Sequence, residues 1–248
     1  MSEIYSPDAL KGKIVLVVGG QTGIGRGVAE GAAQVGARVI TASRRARDTA
    51  GSPTGDFSDH IALDLSDEGS IAKAFSELPA LDHVLITASP DLGSWGTPDD
   101  QTVEGPRSFI EAKLMGSWAI AHYARKRLNT GGTITFFTGG LAVRAKPGFA
   151  PATVAFSAVE TLARSLAVDY APIRVNTIRP GLTDTAMWSY LPSDARNGMF
   201  EAAKSKFPAR RVGSPTDIAN AALFLMTSPY VTGATIEVTG GETLIDSI

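Results

Sequence analysis

The chain is 248 residues long, 44% hydrophobic and 19% charged, with a formal net charge of −2 at pH 7 and no cysteine. That length and apolar share suffice for one sizeable core, while the near-neutral balance and the lack of a long Lys/Arg run give nucleic acid no electrostatic footing. The missing cysteines exclude disulfides and thiolate chemistry; apolar runs far short of a membrane span, and a start (MSEIYSPDAL) without signal-peptide layout, lead us to expect a cytoplasmic protein with no membrane contact.

The first apolar run, Ile14–Val18, is short and mostly β-branched and reads as a buried strand. Gly19, Gly20, Gly23 and Gly25 follow, with Gln21, Thr22 and Ile24 between them, and Arg26–Val35 has the composition of a helix. A strand, tight turn and helix start bring backbone N–H groups up to a pyrophosphate, because glycine lacks a Cβ and a helix N-terminus attracts negative charge. A dinucleotide site is therefore expected here. Further strand-like runs occur at Arg38–Thr41, His60–Leu63, His83–Thr87, Thr133–Phe137, Arg174–Ile178 and Thr235–Val238, most of them separated by helical patterns. This alternation predicts right-handed βαβ units: a single α/β domain over residues 1–248, a doubly wound parallel sheet with helices on both faces. Asp48–Asp59, rich in Gly, Ser, Pro and Asp, reads as a surface loop. The histidines, His60, His83 and His122, have no second histidine at ligand spacing, so no metal is expected.

Taken together, Gly19-x-x-x-Gly23-Ile24-Gly25, Leu63-Asp64-Leu65-Ser66-Asp67, Leu81-Asp82-His83-Val84-Leu85, Arg174-Val175-Asn176, Pro180-Gly181-x-x-x-Thr185, Arg211-Val212-Gly213-Ser214-Pro215-x-Asp217 and Val231-Thr232-Gly233…Gly240-Gly241 resemble the short-chain dehydrogenases/reductases. The resemblance runs from about residue 10 to the C-terminus. It implies a seven-stranded Rossmann-type sheet, a nicotinamide cofactor, a small-molecule substrate and a homodimer or homotetramer built through two long helices. It also implies cofactor contacts at Gly19, Gln21, Thr22, Gly23, Ile24, Gly25, Asp64, Leu65, Ala88, Pro180, Gly181, Thr183 and Thr185, with Asp64 at the adenine. As an ordinary helix cap, Asp64 is less well placed than Ser66. At the end of the second strand, where NAD-preferring relatives carry a carboxylate, this chain has Ser43, Arg44 and Arg45. A guanidinium forms charge-assisted bonds to a 2′-phosphate, so NADP(H) is expected; the alternative is that both arginines are solvated loop charges.

The family's usual serine, tyrosine and lysine are missing. Alignment through Ser157–Ala167 puts Gly139, Ala152 and Phe156 at their places, and Ile86-Thr87-Ala88-Ser89 replaces the asparagine-rich turn. In the helix expected over roughly Arg107–Leu128, Lys113 stands where relatives have an asparagine. At about 100° per residue it lies in a stripe with Phe109, Gly116, Ser117, Ile120 and Ala124, opposite the charged residues. Lys113 is thus a candidate for proton handling; the alternative is a packed stem with its ammonium in solvent. Met115 and Trp118 fall on the charged face and suggest a subunit contact. Thr138 is the hydroxyl nearest the missing serine and a second catalytic candidate. Gly139, Arg144, Phe149, Phe156, Trp188 and Tyr190 are expected to line the substrate site, with residues 182–210 covering it. The function expected is NADPH-dependent hydride transfer to a small carbonyl or imine. The alternative is an NADP(H)-binding protein without turnover, a sensor or partner subunit.

Overall fold

The computed structural model describes residues 6, 8–44, 59–90 and 96–245. The apolar runs form seven strands: β1 (Ile14–Val18), β2 (Arg38–Ser43), β3 (Asp59–Ala62), β4 (Leu81–Ile86), β5 (Leu128–Phe137), β6 (Arg174–Pro180) and β7 (Thr235–Val238). All pair in parallel, in the order β3-β2-β1-β4-β5-β6-β7. The order reverses between β1 and β4, and the crevice beyond their carboxyl ends is where doubly wound sheets take ligands.

Side chains of β1 alternate between two cores, as a strand covered on both faces requires. Leu16 and Val18 join α2 (Glu68–Glu77), α4 (Gly116–Arg125) and α5 (Ala150–Asp169) through Ile71, Phe75, Ile120, Val159 and Leu162. Val15 and Val17 join α1 (Gly23–Gln34) and α7 (Pro215–Thr227) through Val28, Ala32, Ile218 and Leu225. Polar residues at the amino ends of the strands are paired. The Asp82 carboxylate accepts from the Ile14 N–H at 2.9 Å and Lys13 Nζ at 3.1 Å. His83 Nδ1 lies 2.8 Å from Thr133 Oγ1, and burial pushes this imidazole down to about 4, keeping it neutral at pH 7.

Two local expectations change. The N-cap of α2 is Asp67, whose side chain accepts from the Gly69 N–H; Ser66 instead donates to Asp64. The helix expected over 107–128 is three pieces, α3 (Glu104–Ile110), a π turn (Glu111–Met115) and α4, and Leu128 already belongs to β5. Most of Asp48–Asp59 lies outside the described residues, though Asp59 begins β3. Among the described residues, no helix is long and apolar enough to cross a membrane.

Candidate active site

At the switch point the glycine turn is pressed against its neighbours. Gly19 has φ +89° and donates to the Ala42 carbonyl at 2.7 Å, and a Cβ there would lie 2.7 Å from Ala88 N and Thr87 Oγ1. A Cβ on residue 25 would sit 2.1 Å from the Gly19 carbonyl oxygen. Gly25→Ala is accordingly expected to cost at least about 2 kcal/mol and to lower the melting temperature, because the obstacle is backbone rather than a movable side chain. Thr22 begins α1 with no side-chain cap bond, and the first turn holds no acidic residue. By contrast, α2 is capped by Asp67, and α7 by Ser214 with Asp217 in a capping box. Among the described residues, the N–H groups and positive dipole end of α1 thus have no side-chain cap or acidic residue in the first turn to compensate them. Ile24 packs on the α1/α7 core, and Thr185 lies 3.5 Å from where a Gly23 Cβ would be, over the start of α1.

At the end of β2, Ser43 is half-buried and Arg44 exposed, with no carboxylate at either position; Arg45 lies outside the described residues. Asp64 Oδ1 accepts from both the Ser66 N–H (2.9 Å) and its hydroxyl (2.7 Å). Those bonds, with the charge of Arg44 adding, hold its carboxyl below the usual carboxylate range. Leu65 is buried beside it. Sequence reasoning missed a neighbouring group: Gln21 Nε2 lies 2.7 Å from Thr41 Oγ1 and 2.9 Å from His60 Nδ1, and His60 Nε2 is 3.3 Å from Ser43 Oγ.

Lys113 lies in the π turn, a feature found often at functional sites. The whole stripe read from the sequence is buried, and Lys113 itself is only 1% exposed, so its ammonium does not snorkel to solvent. Nζ donates to the Ala88 carbonyl at 2.9 Å and stands 5.7 Å from the centre of the Phe156 ring. Burial pushes this amine from its ordinary range down to about 7. Lys113 therefore reaches from the helix to the turn after β4, beside Phe156. The rest of that place is apolar, since Phe109, Ala152, Ala155 and Phe156 form one buried cluster. A Cβ on Gly139 would meet Phe156 Cε2 at 3.2 Å, so a serine there requires the ring to give way.

Other expected residues are placed differently. The Thr138 hydroxyl donates to Glu160 Oε1 at 3.0 Å, and Glu160 is paired with Arg179 at 2.6 Å. The Thr138 hydroxyl is thus engaged by a structural ion pair. Arg144 donates to the Glu242 carbonyl at 3.0 Å and so clasps the C-terminal turn instead of presenting a free charge. Tyr190 is 72% exposed and offers no inward phenol, whereas Trp188 packs with Leu182 and Phe207 and donates from Nε1 to the Thr183 carbonyl at 2.9 Å. Thr183 is buried with its hydroxyl on the Gly181 carbonyl, Gly181 N–H bonds to Val238, and Pro180 ends β6. Phe149 sits at the start of α5. Residues 182–210 contain a 3₁₀ turn (Ala186–Tyr190) and α6 (Ser193–Lys206), whose Ala203 is buried under Phe207 and Leu182.

A family model described as Enoyl-(Acyl carrier protein) reductase matches residues 18–243. Carbonyl reductase family member 4 of Danio rerio is 32% identical over 94% of this chain and 99% of its own length. A Caenorhabditis elegans protein named Probable 2,4-dienoyl-CoA reductase decr-1.2 is 30% identical over 97% of this chain and 84% of its own. Among solved structures, a small-chain dehydrogenase in complex with NADPH superposes with a TM-score of 0.81 at 30% identity, covering 94% of this chain and 99% of that one.

Proposed function

Because this chain belongs to the short-chain dehydrogenase/reductase family of oxidoreductases, we propose that it uses NADP(H) to reduce a small carbonyl or imine substrate, with Lys113 handling the proton. The observation that carries this reading is a lysine 1% exposed, held on the Ala88 carbonyl at the switch point and pushed by burial to about 7.

The residues present fit the dinucleotide. The Cβ-free positions of the turn let backbone approach closely, and the uncapped start of α1 leaves N–H groups for a pyrophosphate. Ser43 and Arg44, with no carboxylate between them, suit a 2′-phosphate, and a relative at 30% identity was solved with NADPH. Asp64 is held ionised, with its Oδ1 already engaged by Ser66, which leaves Oδ2 to accept from an adenine amino group.

When bound, NADPH supplies a hydride from the nicotinamide ring; the protein must orient the acceptor, exclude water and deliver a proton to oxygen or nitrogen. Near pH 7 Lys113 exists in both forms, which suits a general acid that is recharged between turnovers. Phe109, Ala152 and Phe156 make an apolar wall in place of the tyrosine and lysine, and Trp188 with residues 182–210 covers the substrate. Met115 and Trp118 are 52% and 50% exposed on the outer side of this helix, and we assign that face to a second copy of the chain in a dimer or tetramer.

The packed Gly139/Ala152/Phe156 cluster favours one other reading, an NADP(H)-binding protein without turnover. Loss of reduced-nicotinamide absorbance with a panel of aldehydes, ketones and cyclic imines separates the two. Reduction should be fastest below about pH 7 and fall as pH rises through the Lys113 titration, since the acid must carry its proton. NADPH binding without oxidation on any substrate would favour the second reading.

A further inference from the structure

One arginine on the covering segment deepens the reductase reading and rests on it. We propose that Arg196 binds a carboxylate on the substrate, so that the carbonyl or imine reduced by this chain belongs to an organic acid.

The helix α6 turns one stripe inward. Met199, Phe200 and Ala203 pack with Leu182, Trp188 and Phe207, and at about 100° per residue Arg196 heads the same stripe, one turn before Met199 and Phe200. Arg196 is half-buried, its guanidinium carbon stands 5.9 Å from the centre of the Phe200 ring, and its Nε is buried with no hydrogen-bond partner. Among the described residues, no carboxylate pairs with it. Other inward arginines are served by the protein itself: Arg174 donates to the Leu225 and Met226 carbonyls, and Arg179 pairs with Glu160. Elsewhere on α6, Lys204 is paired with Glu201 and Lys206 is exposed, so neither shares this position. A buried N–H without an acceptor costs free energy, as does an inward cation without a counter-charge, and an anion carried by the ligand relieves both. The donors say which anion. Nε–H and the Nη N–H beside it run parallel and match the two oxygens of a carboxylate. One guanidinium at the head of an apolar stripe balances one negative charge, whereas a phosphate dianion would bring a second with no cation to meet it. The Phe200 ring supports the cation without consuming its N–H groups, which stay available to the ligand.

Titration calorimetry on the full chain loaded with NADP⁺ tests this with short-chain oxo acids and their methyl esters as probes, and loss of NADPH absorbance follows their reduction. The wild-type protein is expected to bind an acid about 10- to 100-fold more tightly than its ester, the worth of a paired bond to a charged group. Arg196→Met should abolish that preference while ester affinity stays within about threefold. Arg196→Lys, which keeps the charge and loses the fork, should retain part of it, and this variant decides the matter even where methionine unsettles α6. A merely structural arginine would weaken acid and ester alike. Wild-type protein that binds acids no better than esters, or a full acid preference in both variants, would overturn the inference, and reduction of any probe would then leave the reductase reading standing. Acid binding that depends on Arg196, with no probe reduced, would uphold the carboxylate site and count against the reductase reading instead.

Discussion

Lys113→Met lowers the rate of substrate reduction by about 10²- to 10⁴-fold, the usual worth of a positioned general acid, and the remaining activity no longer varies with pH near 7. Methionine fills a similar volume, so the stripe of Phe109, Gly116, Ser117 and Ile120 stays packed; what disappears is the amine on the Ala88 carbonyl. Stability gives an independent reading of the same group. Folded, Lys113 titrates at about 7, against 10.5 for the ordinary side chain. Below about pH 7 both the folded and the unfolded chain carry the proton, and the cost of burying an ammonium is present in full. Between there and 10.5 the unfolded chain binds the extra proton, so this residue's contribution rises with pH. The methionine variant should therefore exceed the wild type in melting temperature most at acidic pH, with the gap closing on the alkaline side. Wild-type turnover with an unchanged pH profile in the variant would take Lys113 out of the mechanism.

The second large effect is on cofactor choice. Ser43→Asp combined with Arg44→Ala exchanges a hydroxyl donor and a guanidinium for a carboxylate that accepts from ribose hydroxyls and repels phosphate. Removing one charge-assisted bond and adding a like charge should shift the ratio of NADPH to NADH affinity by on the order of 100-fold toward NADH. Arg44 is exposed, so the shift should be larger at low ionic strength. Fluorescence titration of both cofactors at two salt concentrations measures it, and a wild-type protein that already prefers NADH would contradict the assignment of this strand end.

Features carried by local pattern were readable in the chain. The β1 and β7 boundaries match the apolar runs, and the Lys113 stripe is buried as its spacing implied, because 3.6-residue periodicity survives a single π turn well enough to keep one face inward. Features set by distant partners were not. The first half of β5 is mostly exposed and carries no hydrophobic signal, and its pairing with β4 alone defines it. Nothing near Thr138 announces that Glu160, twenty-two residues on, takes its proton, or that Arg179 from another strand closes the pair. Likewise, a histidine in an edge strand says nothing of Gln21 and Ser43 until the register is known. The approach of a Gly139 Cβ to Phe156 at 3.2 Å likewise joins two places that lie seventeen residues apart in the chain.

The central claim is hydride transfer, and it can be tested without choosing a substrate. The purified protein is incubated with a metabolite extract and NADPH carrying deuterium at the nicotinamide C4, each face labelled in turn, and products are searched by mass spectrometry against a no-protein control. The account predicts deuterium in a carbonyl- or imine-derived product from one face only, and its strong reduction with Lys113→Met. Demonstrated NADPH binding with no label transferred from either face would contradict it and leave a binding protein in its place.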